Sequence, residues 1–405
     1  MLRPDAQRTI ADLRALAAFG RVGTGVNRRA LTGEDMAARA WLVERMRAAG
    51  LEAEIDGIGT VIGRTPGAKR HVLIGSHTDT VPKGGWLDGA MGVIFGLEVA
   101  RAAMEAGLPG EVGVEVASFC DEEGRFAGLM GSSVFCGTRT LEDALALRAE
   151  DGAVLRDAVA AAGLAGREVA RLDPARHVAY LEAHIEQGPV LEQAGKQIGI
   201  VTEIVGVERG RVIFTGRSDH AGTTPMAMRR DAAAALYAFA NEFADFCRAH
   251  GSPRTVWNLG VVQLDPGAYN VVTREAVIGV EFRDGSQEVL DRVRTAIPEI
   301  AARCAARCQA ESRFEPGVRT RPAHMDPQIM DRIEAAAQAL GASTLRMPSG
   351  AGHDAMLFAD RIPTGMLFVP SIGGRSHDVA ENTAEEDIAR GLAVLAATVD
   401  GLLAG

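Results

Sequence analysis

A buried strand, a glycine-rich loop, a helix and a second buried strand follow one another between residues 71 and 124. The apolar run HVLIGSH at 71–77 predicts a short buried strand, and AMGVIFGLEVARAAMEAG at 90–107 predicts the helix. The alternating valines of EVGVEVASFC, which begins at Glu111, predict the second strand. Strands that alternate with helices form a largely parallel sheet, so we expect an α/β domain here.

The pattern changes between about residues 207 and 320. Strand-like segments are interspersed there with two helical patterns, which is typical of an α+β domain. These segments are 211–216, 257–264 and 276–284. The α/β pattern resumes afterwards with an apolar strand at 365–371 and a final helix. We therefore predict an α/β domain formed by residues 1–206 and 321–405, interrupted by a smaller α+β domain at 207–320.

Composition excludes several classes of protein. The 405 residues include 43 basic and 53 acidic side chains, whereas a nucleic-acid or anionic-membrane surface needs a basic patch. No apolar run reaches the ~18 residues of a membrane span. The N-terminal residues lack the apolar centre of a signal peptide, and five cysteines without a CxxC pair form no disulfide framework. We expect a cytoplasmic protein with no nucleic-acid or membrane partner.

Polar side chains follow both buried strands of the first domain. His77, Asp79 and Asp88 lie in IGSHTDTVPKGGWLDG, which continues the first strand, and Glu122 and Glu123 follow the second. Ligands of such sheets bind at the carboxyl ends of the strands. Burial of two adjacent carboxylates is costly unless cations neutralise them. A metal site is therefore one interpretation of the acidic pair, and a solvated surface pair is the other.

The nine histidines divide into three groups. Four lie in loop-like contexts beside glycine, proline or acidic residues, where functional residues tend to occur; they are His77, His184, His220 and His377. Four others are interpreted as surface or capping residues; they are His71, His177, His250 and His324. His353 lies in a glycine-rich turn that either presents backbone N–H groups to an anion or is only a turn.

Imidazole and carboxylate ligands together suit zinc, manganese, cobalt or nickel. Two such ions roughly 3.5–4 Å apart need a carboxylate that bridges them. Asp88 is the natural bridge because it shares a loop with His77. Asp79, two residues after His77, is well placed to accept the other ring N–H of that histidine and to fix its tautomer.

Six motifs in this order resemble those of the M20 peptidase superfamily of dinuclear-metal amidohydrolases. They are GSHTDTVPKGGWLDG, DEEG, HIEQGPVLE, DHAGTTPM, GAGHDA and SH(x)3EN, and they extend through nearly the whole chain. The most similar branch is the carbamoylase group, which comprises N-carbamoyl-L-amino acid hydrolases, allantoate amidohydrolases and β-ureidopropionases. HIEQGP marks this branch, because peptide-cleaving relatives generally have a carboxylate ligand where this chain has His184.

The resemblance implies two divalent metal ions per subunit, either Zn²⁺ or Mn²⁺, with Co²⁺ and Ni²⁺ as alternatives. One ion would be held by His77 and His184 and the other by Glu123 and His377, with Asp88 between them. The resemblance also implies a mixed-sheet catalytic domain and identifies the inserted domain as a dimerisation (lid) domain.

Further roles follow from the same resemblance. Glu122 would be the general base, and His220, supplied by the second subunit of a homodimer, would stabilise the oxyanion. Gln187 would contact the ureido group, whereas Asn270 and Arg283 would hold the substrate carboxylate and also help complete the partner's site. Without the resemblance, Gln187 reads as a turn residue and Arg283 as a surface ion pair with Glu281 or Asp284.

The chain departs from the family pattern at three places. The segment EEGRFAGLMGSS at 122–133 is shorter than usual, Thr273 replaces a proline, and Arg375 replaces a residue that is often isoleucine. None removes a ligand, and all leave the substrate side chain open. Arg375 adds a positive charge that could favour an additional acidic group on the substrate.

The sequence therefore predicts a metal-dependent hydrolase that cleaves the ureido C–N bond of an N-carbamoyl-L-amino acid or similar small ureido acid, with release of ammonia and carbon dioxide. The alternatives are an allantoate amidohydrolase and an amidase or peptidase acting on another N-acyl amino acid. A metal-free binding protein on the same fold is a further alternative, which the complete ligand set disfavours. A structural zinc protein is the weakest, because no cysteine cluster exists.

Overall fold

The computed structural model describes residues 2–107 and 110–404. The helices are α1 (Ala6–Leu16), α2 (Gly33–Ala48), α3 (Ala90–Glu105), α4 (Met130–Phe135), α5 (Leu141–Leu145), α6 (Leu155–Ala161), α7 (Val190–Ala194), α8 (Ala232–His250), α9 (Gln287–Arg307), α10 (Pro327–Ala339) and α11 (Glu385–Leu403). The strands are β1 (Arg21–Val22), β2 (Gly25–Val26), β3 (Glu52–Ile55), β4 (Val61–Arg64), β5 (Arg70–His77), β6 (Val112–Phe119), β7 (His177–Ile185), β8 (Ile198–Ile204), β9 (Gly206–Thr215), β10 (Val256–Asp265), β11 (Glu275–Asp284), β12 (Glu311–Thr320), β13 (Ala323–His324), β14 (Thr344–Ser349) and β15 (Thr364–Val369).

The chain divides into two compact units. The larger unit contains the residues up to Thr202 and those from His324 onward, and the smaller unit is Glu203–Ala323. None of the helices within the described residues combines the length and the apolar character that a membrane crossing requires.

The larger unit is built on a mixed sheet, which confirms the predicted fold class. Its strand order is β13-β8-β15-β7-β5-β6-β4-β3, and β14 pairs with β8. The central pairs β15–β7, β7–β5 and β5–β6 are parallel. The outer pairs β15–β8, β6–β4 and β4–β3 are antiparallel. Central strands that are buried on both faces are typical of parallel sheets covered by helices, and every residue of β6 is buried.

The register brings the carboxyl ends of the central strands to one edge of this sheet. His77, the last residue of β5, is aligned with Phe119, the last residue of β6. On β7, His184 is aligned with Phe368, one residue before β15 ends. Segments that leave these four neighbouring strands therefore begin close together, as expected for the binding edge of an α/β sheet.

Helix α3 lies in the core of the larger unit and has almost no surface of its own. Every residue from Ala90 to Ala103 is buried. Its two buried charges are paired with residues of α1. Glu98 accepts hydrogen bonds from Arg8 at 2.6 and 2.8 Å, and Arg101 donates to Asp12 at 2.6 Å.

The smaller unit is a four-stranded antiparallel sheet with the order β10-β11-β9-β12. Helices α8 and α9 share a hydrophobic core with this sheet, and the largest side chains of that core are Phe214, Phe239, Phe243 and Phe282. The unit thus has a hydrophobic core of its own, as an independently packed α+β domain requires.

Two histidines that we expected at the surface are buried instead. His71 is only 3% exposed and His177 only 1% exposed, so the interpretation of these two as surface or capping residues was wrong. His177 Nε2 lies 3.4 Å from the buried Glu115 carboxylate, and Arg64 Nε lies 2.9 Å from the same group. Glu115 is far from His177 in the sequence, so the residues around His177 gave no sign that this histidine is buried.

The cluster of Glu115, His177 and Arg64 makes the free energy of unfolding depend on pH. Burial opposes ionisation of Glu115, but the adjacent His177 imidazole and the Arg64 charge outweigh it and lower its pKa from 4.5 to about 2. A depressed carboxyl pKa contributes stability above pH 4.5, and that contribution is lost as the pH falls toward 2. We expect Glu115→Gln to lower the free energy of unfolding by about 3 kcal/mol at pH 7 and by much less at pH 3.

Urea unfolding at both pH values tests this expectation. The matched control is Glu111→Gln, which changes an exposed carboxylate just before β6. A Glu115→Gln protein as stable as the wild type at pH 7, or a deficit unchanged at pH 3, would contradict it.

Candidate metal centre

The Asp88 carboxylate lies between two histidines, of which His184 belongs to β7 and His377 to the loop before α11. Its Oδ1 is 3.1 Å from His184 Nε2, and its Oδ2 is 3.2 Å from His377 Nε2. Asp88 itself is 5% exposed. One carboxylate that directs each oxygen toward a different imidazole has the arrangement of a bridging ligand.

Three groups of possible ligand atoms surround Asp88, and the atoms of each group lie within 4.8 Å of one another. The groups are His77–Asp88–His184, Asp88–Glu123–His377 and His77–Glu122–Glu123. The sequence-predicted ligands are therefore brought together. Mixed imidazole and carboxylate donors fit a borderline divalent ion such as zinc or manganese.

The charge balance of the protein groups also fits bound cations. Burial, followed by the charge of Asp88, raises the pKa of Glu123 to about 8. Burial likewise raises the pKa of Glu122 well above its usual range, and the Glu123 charge adds to the effect. Carboxylates in such a place are costly to ionise without a positive charge beside them.

His77 is oriented by the main chain of Asp79. Its Nδ1 donates to the Asp79 carbonyl oxygen at 2.9 Å, which leaves Nε2 to face Asp88 and Glu122. We expected the Asp79 carboxylate to accept this bond, but that carboxylate is 4.0 Å from Nδ1. It accepts instead from the Glu122 and Glu123 amides at 3.4 and 3.2 Å. The Asp79 main chain thus orients His77, and the Asp79 side chain holds the backbone of Glu122 and Glu123.

His184 lies within strand β7 and not in a loop, contrary to our expectation. The strand fixes its backbone, and its Nδ1 donates to the Ile185 carbonyl oxygen at 2.9 Å. Its Nε2 faces Asp88 and also accepts from the Gly89 amide at 3.2 Å. His353, which the sequence left ambiguous, is buried, packs its ring 4.5 Å from that of His184, and pairs with Ser349 at 2.9 Å.

Gln187 lies beside the Asp88 carboxylate and has a positive φ of 59°. Its Nε2 donates to Asp88 Oδ2 and to Ser376 Oγ, each at 3.1 Å. Its Oε1 is buried and has no hydrogen-bond partner within residues 2–107 and 110–404. Gln187 therefore offers an unused acceptor next to the candidate metal ligands.

Among the buried carboxylates that sequence reasoning did not select, Glu381 is the one that bonds to the Asp88 main chain. Glu381 is 2% exposed, and its Oε1 accepts from the Leu87 and Asp88 amides, each at 3.1 Å. The only signal in the sequence was its position in the SH(x)3EN motif, four residues after His377.

The three predicted site residues of the smaller unit do not all lie close together. His220 and Asn270 are neighbours, because His220 forms a bridge with Val271 and Ala221 N donates to the Asn270 carbonyl at 3.0 Å. Arg283 is the second-last residue of β11, whereas Asn270 lies a few residues before that strand begins. The Arg283 guanidinium pairs with Glu281 at 2.8 Å, as in our alternative interpretation of this arginine.

Gly89 separates Asp88 from α3 and leaves room for His77. Its φ is +64°, and a Cβ added there would lie 2.4 Å from His77 Nε2. We expect Gly89→Ala to displace the imidazole and to weaken divalent-metal binding about 10–100-fold, as changes beside metal ligands do.

A competition titration with a chromogenic chelator measures this effect. Gly163→Ala is the matched control, because Gly163 has a φ of +71° but nothing within 4 Å of an added Cβ. Equal metal affinity in the two variants would show that the His77 contact has no influence on binding.

Buried imidazole and carboxylate donors beside the ends of the parallel strands give this α/β sheet the donor set of a metal-dependent enzyme. The chain belongs to Peptidase family M20/M25/M40, whose model matches residues 73–401.

Named relatives and solved structures agree with this assignment. The chain is 37% identical to the N-carbamoyl-L-amino-acid amidohydrolase of Paenarthrobacter aurescens, with 97% of each chain covered. It is 35% identical to the allantoate amidohydrolase of Escherichia coli K12, with 87% of each covered. The crystal structure of an amidase of the hydantoinase/carbamoylase family from Burkholderia phymatum superposes with a TM-score of 0.93 and 42% identity, over 100% of this chain and 99% of that one.

Proposed function

We propose that this protein is a metal-dependent amidohydrolase that cleaves the ureido C–N bond of an N-carbamoyl-L-amino acid, with release of ammonia and carbon dioxide. The observation that carries the proposal is the Asp88 carboxylate, which directs one oxygen to His184 and the other to His377. Relatives named for this reaction, 36–37% identical over nearly their full length, support the substrate class.

We propose that one divalent ion is held by His77 and His184 and a second by Glu123 and His377, with Asp88 shared. Zn²⁺ and Mn²⁺ are the candidates that this donor set favours, with Co²⁺ and Ni²⁺ as alternatives. When bound, such ions polarise a substrate carbonyl and lower the pKa of a coordinated water.

Glu122 is the proposed general base. Its Oε2 is 3.5 Å from His77 Nε2, so the carboxylate borders the ligand cluster without belonging to either group that contains Asp88. In the reaction Glu122 accepts a proton from the attacking water while the water oxygen bonds to the ureido carbon. It then delivers that proton to the leaving nitrogen as the first C–N bond breaks, and the carbamic acid that forms decomposes to carbon dioxide and the second nitrogen product. Burial keeps the carboxyl away from bulk water, which favours transfer between these two atoms.

The remaining predicted residues serve recognition in this proposal. Gln187 Oε1, which receives no hydrogen bond from the described part of the chain, accepts from a ureido N–H. Asn270 and Arg283 hold the substrate carboxylate. To do so, Arg283 must leave its ion pair with Glu281 and pair with the substrate. His220 stabilises the oxyanion. Its adjacency to Asn270 is consistent with a shared contribution of the two residues to one substrate.

We further propose that the protein is a homodimer and that His220, Asn270 and Arg283 complete the site of the partner subunit. Strand β10 supports this proposal, because it is an edge strand whose Val256, Val261 and Val262 are 56, 53 and 47% exposed. An exposed edge with apolar side chains is a template for pairing with another chain.

We expect Val261→Lys to convert the dimer to a monomer, since a lysine on an edge strand opposes pairing. Sedimentation velocity measures the change. The matched control is Val318→Lys on β12, the opposite edge, where Val318 is 55% exposed. A Val261→Lys protein that stays dimeric would exclude β10 as the interface.

Ammonia release by the manganese-loaded protein tests the proposed reaction. The panel contains N-carbamoyl-L-amino acids, N-carbamoyl-β-alanine and allantoate, and matched N-acetyl-L-amino acids and dipeptides serve as negative controls. The Escherichia coli relative makes allantoate the second candidate substrate. Hydrolysis of the N-acyl compounds but of no ureido acid would overturn the proposal and support an amidase or peptidase.

A further inference from the structure

Glu381 joins the loop of Asp88 to the loop of His377. Its Oε1 accepts from the amides of Leu87 and Asp88, each at 3.1 Å, and its Oε2 accepts from the Ser376 hydroxyl at 3.0 Å. Ser376 immediately precedes His377. One buried carboxylate thus makes three hydrogen bonds to segments that each carry a proposed metal ligand.

These bonds form part of a closed ring. Ser376 Oγ accepts from Gln187 Nε2 at 3.1 Å, and the same Gln187 nitrogen donates to Asp88 Oδ2 at 3.1 Å. Glu381 returns the connection to the Asp88 main chain. Asp88 is therefore held twice: Glu381 fixes its backbone, and Gln187 fixes its carboxylate.

Close packing adds to this restraint. A Cβ at Gly85 would lie 1.9 Å from Glu381 Oε1, so the backbone of the Asp88 loop passes directly against the Glu381 carboxylate. Glu381 is 2% exposed, and a shift of its side chain would have no solvent-filled space to enter.

We infer that Glu381 is a positioning residue that sets the orientation of Asp88 and thereby the affinity for the metal ions that Asp88 shares. A bridging carboxylate must direct its two oxygens in two fixed directions. Rotation about its side-chain bonds would turn at least one oxygen away from its required direction. Hydrogen bonds behind metal ligands typically contribute 10–100-fold to metal affinity or activity. The inference deepens the proposed function and rests on the proposed metal centre.

Three variants separate positioning from general structural support. Glu381→Ala leaves the Leu87 and Asp88 amides without an acceptor. Glu381→Gln keeps an acceptor for them but cannot accept from Ser376 with its amide nitrogen. Ser376→Ala removes the link to Gln187 and leaves the Glu381 backbone contacts intact. Glu386→Gln, a change on the exposed face of α11, is the matched control.

Zn²⁺ affinity and stoichiometry are measured first, by titration of the full-length metal-free protein against a competing chelator. We expect Glu381→Ala to bind at least one ion 10–100-fold more weakly, with Glu381→Gln and Ser376→Ala intermediate and the control unchanged. In steady-state assays kcat falls for the same variants, while KM changes little.

The outcomes separate the role of Glu381 from the proposed reaction. Wild-type affinity for both ions in a folded Glu381→Ala protein overturns the inference, and so does equal weakening in Glu386→Gln. If Glu381→Ala does not fold, Ser376→Ala decides the question by the same titration. If the wild type binds two ions but releases no ammonia from any ureido acid, the proposed reaction fails while the titration still decides the role of Glu381.

Discussion

Glu122→Gln is expected to lower the rate of ammonia release by about 10²–10⁴-fold without loss of bound metal. The amide has nearly the same shape as the carboxyl group but cannot accept a proton from water. Glu122 lies outside both ligand groups that contain Asp88, so the metal content should stay at the wild-type value. Ammonia production and metal content of the same preparation are the two measurements.

The neighbouring glutamate provides the matched comparison. Glu123 belongs to the group with Asp88 and His377, so Glu123→Gln is expected to lose metal as well as activity. The two glutamates lie in the loop after β6, where Glu122 faces His77 at 3.5 Å and Glu123 faces His377 at 3.6 Å, so two consecutive carboxylates can serve different roles. A Glu122→Gln enzyme with the wild-type rate, or one that loses metal as Glu123→Gln does, would refute the assignment of Glu122 as the base.

Asp88→Asn is expected to produce the largest loss of metal binding. Asp88 is the one residue common to the His184 and His377 groups, and an amide nitrogen cannot replace a carboxylate oxygen as ligand. We expect affinity to fall by more than about a hundredfold, beyond the 10–100-fold effect of residues that only support a ligand. Activity should fall with it, and neither should return at millimolar metal.

The control for this variant is Asp378→Asn. Asp378 lies next to His377, is half exposed at its side chain, and has Arg375 as a distant partner at 3.8 Å. It therefore tests whether loss of any nearby negative charge weakens binding. Full metal occupancy in Asp88→Asn would exclude the shared-carboxylate arrangement.

Regular elements with strong periodicity were predictable from the sequence. The apolar run at 71–77 and the helix at 90–107 correspond to β5 and α3 within one or two residues. Both are buried on all sides, so their apolar patterns are continuous and unambiguous. Because strand ends set the positions of His77 and Glu123, the meeting of these ligands followed from the α/β pattern.

Buried polar positions were harder to predict. Strand β7 carries Glu182 and His184 in its core, so its pattern is interrupted where a buried strand would be apolar. His177 is buried because Glu115 is nearby in space, which no local window of sequence contains. The choice between the carbonyl and the carboxylate of Asp79 as partner of His77 depends on about one ångström of loop geometry.

The enclosure of α3 has a consequence for how this sequence can diverge. No residue from Ala90 to Ala103 faces solvent, so this segment has no exposed position at which substitutions would be neutral. Only substitutions that conserve side-chain volume are tolerated well there. Its two buried charged residues, Glu98 and Arg101, are paired with Arg8 and Asp12 of α1. Loss of Arg101 leaves the buried Asp12 without its closest partner, and loss of Arg8 takes two hydrogen bonds from the buried Glu98. We therefore expect these pairs to change together among homologous chains.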